Sequence, residues 1–174
     1  MLNSKILIRM AEKIVAEVNG QWLIFGGSSL YLLGIDSRAT MDVDVASFDT
    51  STNDDTLKLM MIAQDLKLPV ETINLAGSFF LKAIPGWQDR CTVFRKGKRG
   101  KVFIAQLDLY FELKAKRMTE SDLSDCLAYL EWCQSHQVKW DNDLLLEILR
   151  KALSPASAEA KKRLQILIKS LPSN

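Results

Sequence analysis

The sequence predicts an α+β fold in which one helix precedes a β-rich region and a helical region follows it. Three observations support this prediction. Apolar residues recur every four positions over residues 4–18, as in an amphipathic helix. Short apolar or alternating runs, separated by turn residues, occupy much of 21–108, and the segments beyond about residue 115 have helical spacing. We therefore expect two domains, a core at 1–115 and a helical extension packed on it at 116–174.

In the first half of the chain, turn residues separate the predicted elements. Gly20 ends the first helix, and Gly26 and Gly27 end a buried apolar strand. Segment 41–47 alternates acidic and apolar residues with a period of two, which is typical of a strand. The expected elements are helices at 4–18, 28–33 and 54–67 and strands at 21–25, 41–47 and 68–73.

The second half contains a predicted hairpin and then helices. Two β-rich runs flank the glycine-containing turn at 97–100. Thr119 and Asp122 match a capping box, which satisfies the first N–H groups of a helix. Pro155 separates the last two helices. The expected elements are strands at 90–96 and 101–108 and helices from Thr119 onward, at 141–153 and at 156–171.

Composition and charge exclude several classes of function. Hydrophobic residues make up 48% of the chain and charged residues 25%, which is ordinary for a globular protein. The net charge of +2 is too small to indicate a polyanionic partner by itself. No apolar run reaches the roughly 18 residues that cross a bilayer, and Arg9 and Glu12 interrupt the N-terminal segment. We therefore expect no membrane partner and no signal peptide.

The cysteines favour a reducing compartment. Cys91, Cys126 and Cys133 are odd in number and form no Cys-x-x-Cys pair. Cys126 and Cys133 lie on one predicted helix, where both can face inward as small apolar residues. We predict buried free thiols on that helix and a cytoplasmic protein.

A first candidate binding site lies where a strand meets a helix. Gly26 and Gly27 end the predicted strand, and Ser28 begins the predicted helix. Glycine lets a ligand approach the backbone closely, and the N–H groups at a helix start attract phosphate oxygens. We expect these three residues to bind phosphate, although the Gly-Lys-Ser/Thr ending of a Walker loop is missing.

A pair of aspartates forms the second candidate site. Asp42 and Asp44 alternate with valines on a predicted strand, so both carboxylates share one face, about 7 Å apart at Cα. Two carboxylates at this spacing repel each other unless a cation lies between them. Such oxygen ligands suit Mg²⁺, which also binds substrate phosphates. The pattern predicts a magnesium site that could bridge a triphosphate bound near Gly27.

The two sites together resemble a known signature. Gly27-Ser28, thirteen further residues and then Asp42-x-Asp44 is similar to the signature of the DNA polymerase beta-like nucleotidyltransferase superfamily. The resemblance is strongest over residues 23–46. It implies a nucleotidyltransferase fold with a small mixed β-sheet flanked by helices. It also implies transfer of a nucleoside monophosphate from an NTP to an RNA, protein or small-molecule acceptor.

The resemblance assigns roles to both sites. Gly26, Gly27 and Ser28 would bind the β- and γ-phosphates of the NTP. Asp42 and Asp44 would be catalytic and would bind Mg²⁺, with Mn²⁺ as an alternative. The resemblance leaves open a second function, that of a non-catalytic descendant which binds a partner protein or a nucleotide, for example as one component of a toxin–antitoxin pair.

The superfamily also expects a third carboxylate on a neighbouring strand, as a catalytic residue and metal ligand. Asp108, at the end of the second predicted hairpin strand, is the first candidate, and Glu71 is the second. The third alternative is that this carboxylate is absent. Its absence would favour the non-catalytic function.

Residues just before the aspartates resemble one branch of the superfamily. The sequence pattern Arg38-x-Thr40-x-Asp42 is similar to that of the bacterial branch related to abortive-infection and toxin–antitoxin nucleotidyltransferases. This resemblance implies that Arg38 and Thr40 contact the substrate. The alternatives are a pairing of Arg38 with a surface carboxylate and a purely β-branched strand role for Thr40.

That branch also tends to have a lysine, a spaced arginine and an Asp-x-x-Asp beyond the sheet. Lys114 or Lys116 would supply the cationic substrate contact, followed by Arg117 and by Asp122 with Asp125. The alternative for the basic residues is a solvated helix face. For the aspartates it is the general preference for acidic residues at helix N-termini.

Two further features have both a structural and a functional interpretation. Segment 95–101 contains five of the 23 basic residues. It is either a charged hairpin tip that resists edge pairing, which we favour, or a contact for a polyanion such as RNA. Trp87 is expected to pack in the interior rather than to stack on a base.

Overall fold

The computed structural model of the protein describes residues 2–36 and 40–172. Across these residues it contains a five-stranded mixed sheet and eight α-helices, which confirms the predicted α+β class and is consistent with a nucleotidyltransferase fold. The chain divides between Ala105 and Gln106 into two compact units, called here the sheet unit and the helical unit. The domain boundary at residue 115 stays a prediction.

Five short strands of the described residues form the sheet. They are β1 (Gly20–Phe25), β2 (Val43–Ser47), β3 (Ile73–Asn74), β4 (Cys91–Lys96) and β5 (Gly100–Ala105). Their order across the sheet is β3-β2-β1-β5-β4. The central strand β1 is antiparallel to β2 and parallel to β5. Strand β2 is parallel to β3, and β4 is antiparallel to β5, so the sheet is mixed.

The described helices are divided equally between the two units. They are α1 (Ser4–Glu17), α2 (Gly27–Leu32), α3 (Asn53–Asp65), α4 (Ser78–Lys82), α5 (Leu107–Ala115), α6 (Glu120–Ser135), α7 (Asn142–Leu153) and α8 (Ala158–Ser170). The sequence predicted all of them except α4 and α5. Within the described ranges, none of these helices combines the length and the apolar character that crossing a membrane requires.

One face of the sheet carries the main hydrophobic core. Helix α1 buries Met10 and Ile14 there, and α3 buries Ile62. Ile24 of β1 and Val45 of β2 belong to the same cluster. Full burial of a large apolar side chain contributes about 1.5–3 kcal/mol. The apolar residues that recur every four positions over residues 4–18 therefore attach α1 to the sheet.

The opposite face of the sheet combines aromatic side chains with an acidic strand position. Because side chains alternate along a strand, Val45 faces the core and Asp44 faces the other way. On that second face the ring of Phe48 lies 4.9 Å from that of Trp87 and 4.5 Å from that of Phe103. Trp87 is only 5% exposed, which confirms its predicted packing role.

The start of α6 in the helical unit is fixed by the predicted capping box. The Asp122 N–H donates to Thr119 Oγ1 at 3.2 Å, and the Thr119 N–H donates to Asp122 Oδ2 at 3.0 Å. Farther along α6, Cys126 and Cys133 are buried free thiols, as predicted. Burial raises the pKa of Cys133 to about 11 and the pKa of Cys126 well above its usual value, so both stay neutral at physiological pH.

The predicted strand at 68–73 is largely wrong. Pro69 precedes a 3-10 turn at Val70–Thr72, and β3 contains only Ile73 and Asn74. Proline has no N–H for a strand ladder. Pairing with β2 therefore begins only after the turn.

Residues 106–108 begin a helix instead of ending the hairpin strand. Strand β5 ends at Ala105, and Asp108 lies in the first turn of α5. The side chains of α5 from Leu107 to Phe111 are buried at successive positions. A short apolar run of this kind suits a buried strand and a buried helix equally. The predicted place of Asp108 at the strand end was wrong for this reason.

The hairpin of β4 and β5 is confirmed, and its tip packs on the end of α1. The Arg99 N–H donates to the backbone O of Val15 at 2.9 Å. A Cβ at Gly100 would lie 2.5 Å from Gly20 O and 2.9 Å from Val18 O. These are backbone atoms that cannot move aside easily, so only glycine fits at residue 100.

Replacement of Gly100 by alanine should lower the free energy of unfolding by about 1–3 kcal/mol, because the added methyl group overpacks against backbone oxygens. Urea denaturation would measure the change. Lys98→Ala, at an exposed residue of the same tip, is the control and should change stability by less than about 0.5 kcal/mol. Equal stability of Gly100→Ala and the wild type would contradict the close packing.

Candidate functional site

Gly26 brings the end of β1 against the acidic strand β2. Phe25, the last residue of β1, pairs with Asp44 across the antiparallel ladder. Gly26 has φ 69° and ψ −162°, a conformation open essentially to glycine alone. A Cβ at Gly26 would overlap Asp44 Oδ2. Glycine is therefore required here by its own backbone and by the carboxylate beside it.

Asn74 holds the other oxygen of Asp44. Strand β3 is parallel to β2 and places Asn74 in register with Asp44. Asn74 Nδ2 donates to Asp44 Oδ1 at 2.7 Å, and Asn74 Oδ1 accepts from the Ala76 N–H at 3.1 Å. Sequence reasoning missed Asn74. A two-residue strand has no alternation to recognise, and its register with β2 is a tertiary feature.

The loop before α4 approaches the same carboxylate. A Cβ at Gly77 would lie 2.9 Å from Phe25 Cζ and 3.4 Å from Asp44 Oδ1. Any side chain at residue 77 would crowd the phenylalanine ring. Asp44 thus lies close to two glycines, Gly26 and Gly77, and its Oδ2 occupies the position that a Cβ at Gly26 would need.

Asp42 is more open to solvent than Asp44. Asp42 is exposed immediately before β2, whereas Asp44 is half-buried within the strand. The Thr40 hydroxyl donates to the backbone O of Asp42 at 3.3 Å. Arg38 lies outside the described residues. The segment 42–44 therefore contains one exposed carboxylate, that of Asp42, and one half-buried carboxylate, that of Asp44.

Two serines stabilise the turn between β1 and α2 from inside. Ser28 Oγ donates to Phe25 O at 3.0 Å, and Ser29 Oγ donates to Gly26 O at 2.8 Å. Ser28 is fully buried. Its hydroxyl bonds to the end of its own strand, so a ligand at this turn would meet the glycine backbone first. The phosphate contact of Ser28 stays a prediction.

Among the described strands, no carboxylate pairs with Asp44. Its cross-strand partners are Phe25 and Asn74. Glu71 is exposed in the 3-10 turn before β3, and Asp108 is buried in α5. Over residues 2–36 and 40–172, no group of three or more His, Cys, Asp or Glu side chains is placed to hold a metal ion. A metal-binding role for Asp108 or Glu71 stays a prediction.

In the helical unit, Lys114 is the centre of a buried charge network. Its Nζ lies 3.0 Å from Asp122 Oδ1 and 3.0 Å from Asp125 Oδ2. Arg117 donates to both oxygens of Asp122 through Nε and Nη2, each at 2.8 Å. The lysine, the arginine and the Asp-x-x-Asp singled out in the sequence therefore come together. Lys116, by contrast, is exposed at the end of α5.

The network keeps the buried Asp122 ionised. Burial by itself would raise the pKa of Asp122, but the hydrogen bonds from Arg117, the charge of Lys114 and the hydrogen bonds from Thr119 hold that pKa well below its usual range. Removal of one partner would leave a buried charge without compensation. The network therefore stabilises the helical unit only as a set.

The basic hairpin and the acidic site lie at opposite ends of the sheet. Strand β1 begins at Gly20, next to Gly100 of the hairpin, and ends at Phe25, next to Asp44. At about 3.3 Å per residue, the two ends of β1 are about 17 Å apart. The basic residues of 95–101 therefore do not belong to the site around Asp44.

The family comparison tests the predicted ancestry. The family model described as nucleotidyltransferase of unknown function (DUF6036) matches residues 5–163. The chain belongs to this family. The superfamily predicted from Gly27-Ser28 and Asp42-x-Asp44 is confirmed, although the match does not identify the bacterial branch. No match was found among the curated proteins or among the solved structures.

Gly26→Ala should destabilise this nucleotidyltransferase family member by about 1–3 kcal/mol or more, because alanine is strained at this φ and ψ and also clashes with Asp44. Thermal and urea unfolding would measure the loss. Gly34→Ala is the matched control. Gly34 also has a positive φ, of 78°, but an added Cβ would meet no atom within 4 Å. Equal losses in both variants would contradict the contact with Asp44.

Acid should destabilise the wild type through Asp122. Because the folded-state pKa of this carboxyl is depressed, its stabilisation is fully present above the ordinary pKa of about 3.9 and is lost as the pH falls toward the folded-state value. Asp122→Asn should be less stable at pH 7, by about 3–5 kcal/mol. Its free energy of unfolding should also fall less steeply than that of the wild type below pH 4.

Urea unfolding from pH 7 to pH 2.5 would compare the two slopes. Glu131→Gln is the control, because Glu131 is exposed on the same helix α6. This control should keep the acid profile of the wild type. An Asp122→Asn profile with the wild-type slope would show that another group causes the acid sensitivity.

Proposed function

We propose that this protein is a Mg²⁺-dependent nucleotidyltransferase that moves a nucleoside monophosphate from an NTP to an RNA, protein or small-molecule acceptor. One observation carries the proposal: the glycine-only backbone of Gly26 lies directly against the Asp44 carboxylate. The turn that would bind phosphate and the acidic strand meet there, which supports transfer from a metal-bound triphosphate. The family match over residues 5–163 supports the same class of reaction.

The residues at this junction fit a hard divalent cation. Mg²⁺ takes one or two carboxylates and completes its shell with water and substrate phosphates, and Mn²⁺ is an alternative. Asp42 and Asp44 would supply the carboxylates, and Asp44 Oδ2 lies against the backbone of Gly26. When bound, the ion would neutralise the phosphate charge and align the reacting groups.

The chain's own residues would position the NTP. The backbone of Gly26 and Gly27 would bind the β- and γ-phosphates, and Ser28 would stabilise the turn or contact the phosphates itself. The remaining proposed contacts rest on the sequence resemblance. They are Arg38, Thr40, Lys114 and Lys116 as substrate ligands, and Asp108, or alternatively Glu71, as the third carboxylate.

A second candidate is a non-catalytic member of the fold that binds a partner protein as one component of a toxin–antitoxin pair. The observation that favours it is the pairing of Asp44 with Phe25 and Asn74, neither of which is acidic. The ion pairs of Lys114 with Asp122 and Asp125 support membership of the bacterial branch for either candidate.

Asp42→Asn and Asp44→Asn should each lower the transfer of labelled nucleoside monophosphate by about 100-fold or more, because charge stabilisation of the transition state usually contributes most to catalysis of this kind. The assay is incubation of the pure protein with each radiolabelled NTP, Mg²⁺ and total cellular RNA and protein. Asp49→Asn removes the same charge from an exposed residue just after β2 and should keep full activity. Full activity of Asp44→Asn would contradict the proposed site.

Calorimetric titration with each NTP, with and without Mg²⁺, separates the two candidates. The catalytic candidate requires saturable, Mg²⁺-dependent binding together with turnover. Saturable NTP binding without any turnover would favour the second, non-catalytic candidate. The absence of NTP binding would contradict the proposed transferase.

A further inference from the structure

Asn74 stands beside Asp44 at a place where a third carboxylate would complete an acidic site. Strand β2 has two neighbours in the sheet, and at the level of Asp44 they contribute Phe25 and Asn74. Phe25 is apolar. Of the two cross-strand partners, only Asn74 can therefore act on the carboxylate through a polar group.

The orientation of the Asn74 amide follows from its surroundings. Its Oδ1 accepts from the Ala76 N–H, and its Nδ2 donates to Asp44 Oδ1. The reverse orientation would place the amide NH₂ against an N–H and the amide oxygen against a carboxylate, and both contacts would be repulsive. The backbone turn at Ala76 thus forces Asn74 to present a donor to Asp44.

This contact leaves the two oxygens of Asp44 in different environments. Oδ1 accepts the amide hydrogen bond from Asn74, whereas Oδ2 faces the backbone of Gly26, where a Cβ is absent. A neutral donor in place of a carboxylate also adds no negative charge to that of Asp44 at this position. Fewer carboxylates favour fewer bound cations.

We infer that Asn74 is a positioning residue of the acidic site, and that it orients Asp44 so that Asp42 and Asp44 together hold a single divalent cation. This inference rests on the proposed function, because it specifies how the metal site of that function is built. Partners that orient a ligating carboxylate typically change metal affinity by about 10–100-fold when they are mutated. Asn74 is such a partner for Asp44.

A merely structural role is the alternative, since β3 has only two residues and the amide also links β3 to β2. The two roles differ in their response to metal. The loss of a structural link lowers the melting temperature equally with and without metal. The loss of a positioning residue changes the stabilisation that the metal provides.

The test compares Asn74→Ala and Asn74→Asp with the wild type by calorimetric titration of Mn²⁺ and by melting temperature in EDTA and in saturating Mn²⁺. The wild type should bind one Mn²⁺ per chain, and Asn74→Ala should bind it at least tenfold more weakly. Asn74→Asp places a second carboxylate against Asp44. In EDTA its melting temperature should be lower than that of the wild type. Mn²⁺ should raise the melting temperature of Asn74→Asp by more than it raises that of the wild type, because the cation relieves the repulsion.

Asn19→Asp is the control, because it adds the same charge at an exposed residue between α1 and β1. Its Mn²⁺ affinity should equal that of the wild type. Wild-type affinity in both Asn74 variants, or a melting deficit of Asn74→Asp that Mn²⁺ does not reduce, would overturn the inference and leave the proposed function intact. Two ions per chain in the wild type would overturn the single-cation assignment. No Mn²⁺ binding by the wild type would remove the proposed metal site and the inference with it.

Should Asn74→Ala fail to fold, the near-isosteric Asn74→Asp decides the result alone. Its Mn²⁺ affinity and the change in its melting temperature on addition of Mn²⁺ then support or overturn the inference by the same criteria.

Discussion

The contact between the Gly26 backbone and the Asp44 carboxylate is the constraint around which the sheet unit is arranged. It requires a glycine with φ 69° directly after β1 and an antiparallel β2 whose acidic residue pairs with Phe25. The buried hydroxyl of Ser28 then stabilises the same turn. A short central strand and a glycine turn thereby bring the Gly26 backbone and a carboxylate into contact.

Charged groups in this protein satisfy two different requirements. In the helical unit, Lys114, Arg117, Asp122 and Asp125 neutralise one another within a few ångströms, which is the condition under which buried charges are tolerated. In the sheet unit, Asp42 is exposed and Asp44 is half-buried, with its Oδ2 against the backbone of Gly26. The first arrangement pairs opposite charges with one another, whereas the second contains the carboxylates that we propose to bind a cation.

The neighbours of Asp44 in the sheet are an aromatic residue and an amide. Phe25 and Asn74 flank the aspartate, whereas the resemblance implies a third carboxylate on a neighbouring strand. An amide can hold a carboxylate in place but cannot balance a second divalent cation. The family description leaves the reaction unspecified.

The sequence by itself determined the α+β class, six of the described helices and the hairpin. It also determined the spacing of Gly27-Ser28 from Asp42 and Asp44. Periodicity, capping and turn chemistry depend only on residues within a single segment, which is why the sequence alone predicts them. Tertiary structure decided the rest. It placed Asn74 in register with Asp44 and made a helix of the apolar run that contains Asp108. These features depend on contacts between segments far apart in the chain, and strand register and the burial of short apolar runs are set by such contacts and not by local pattern.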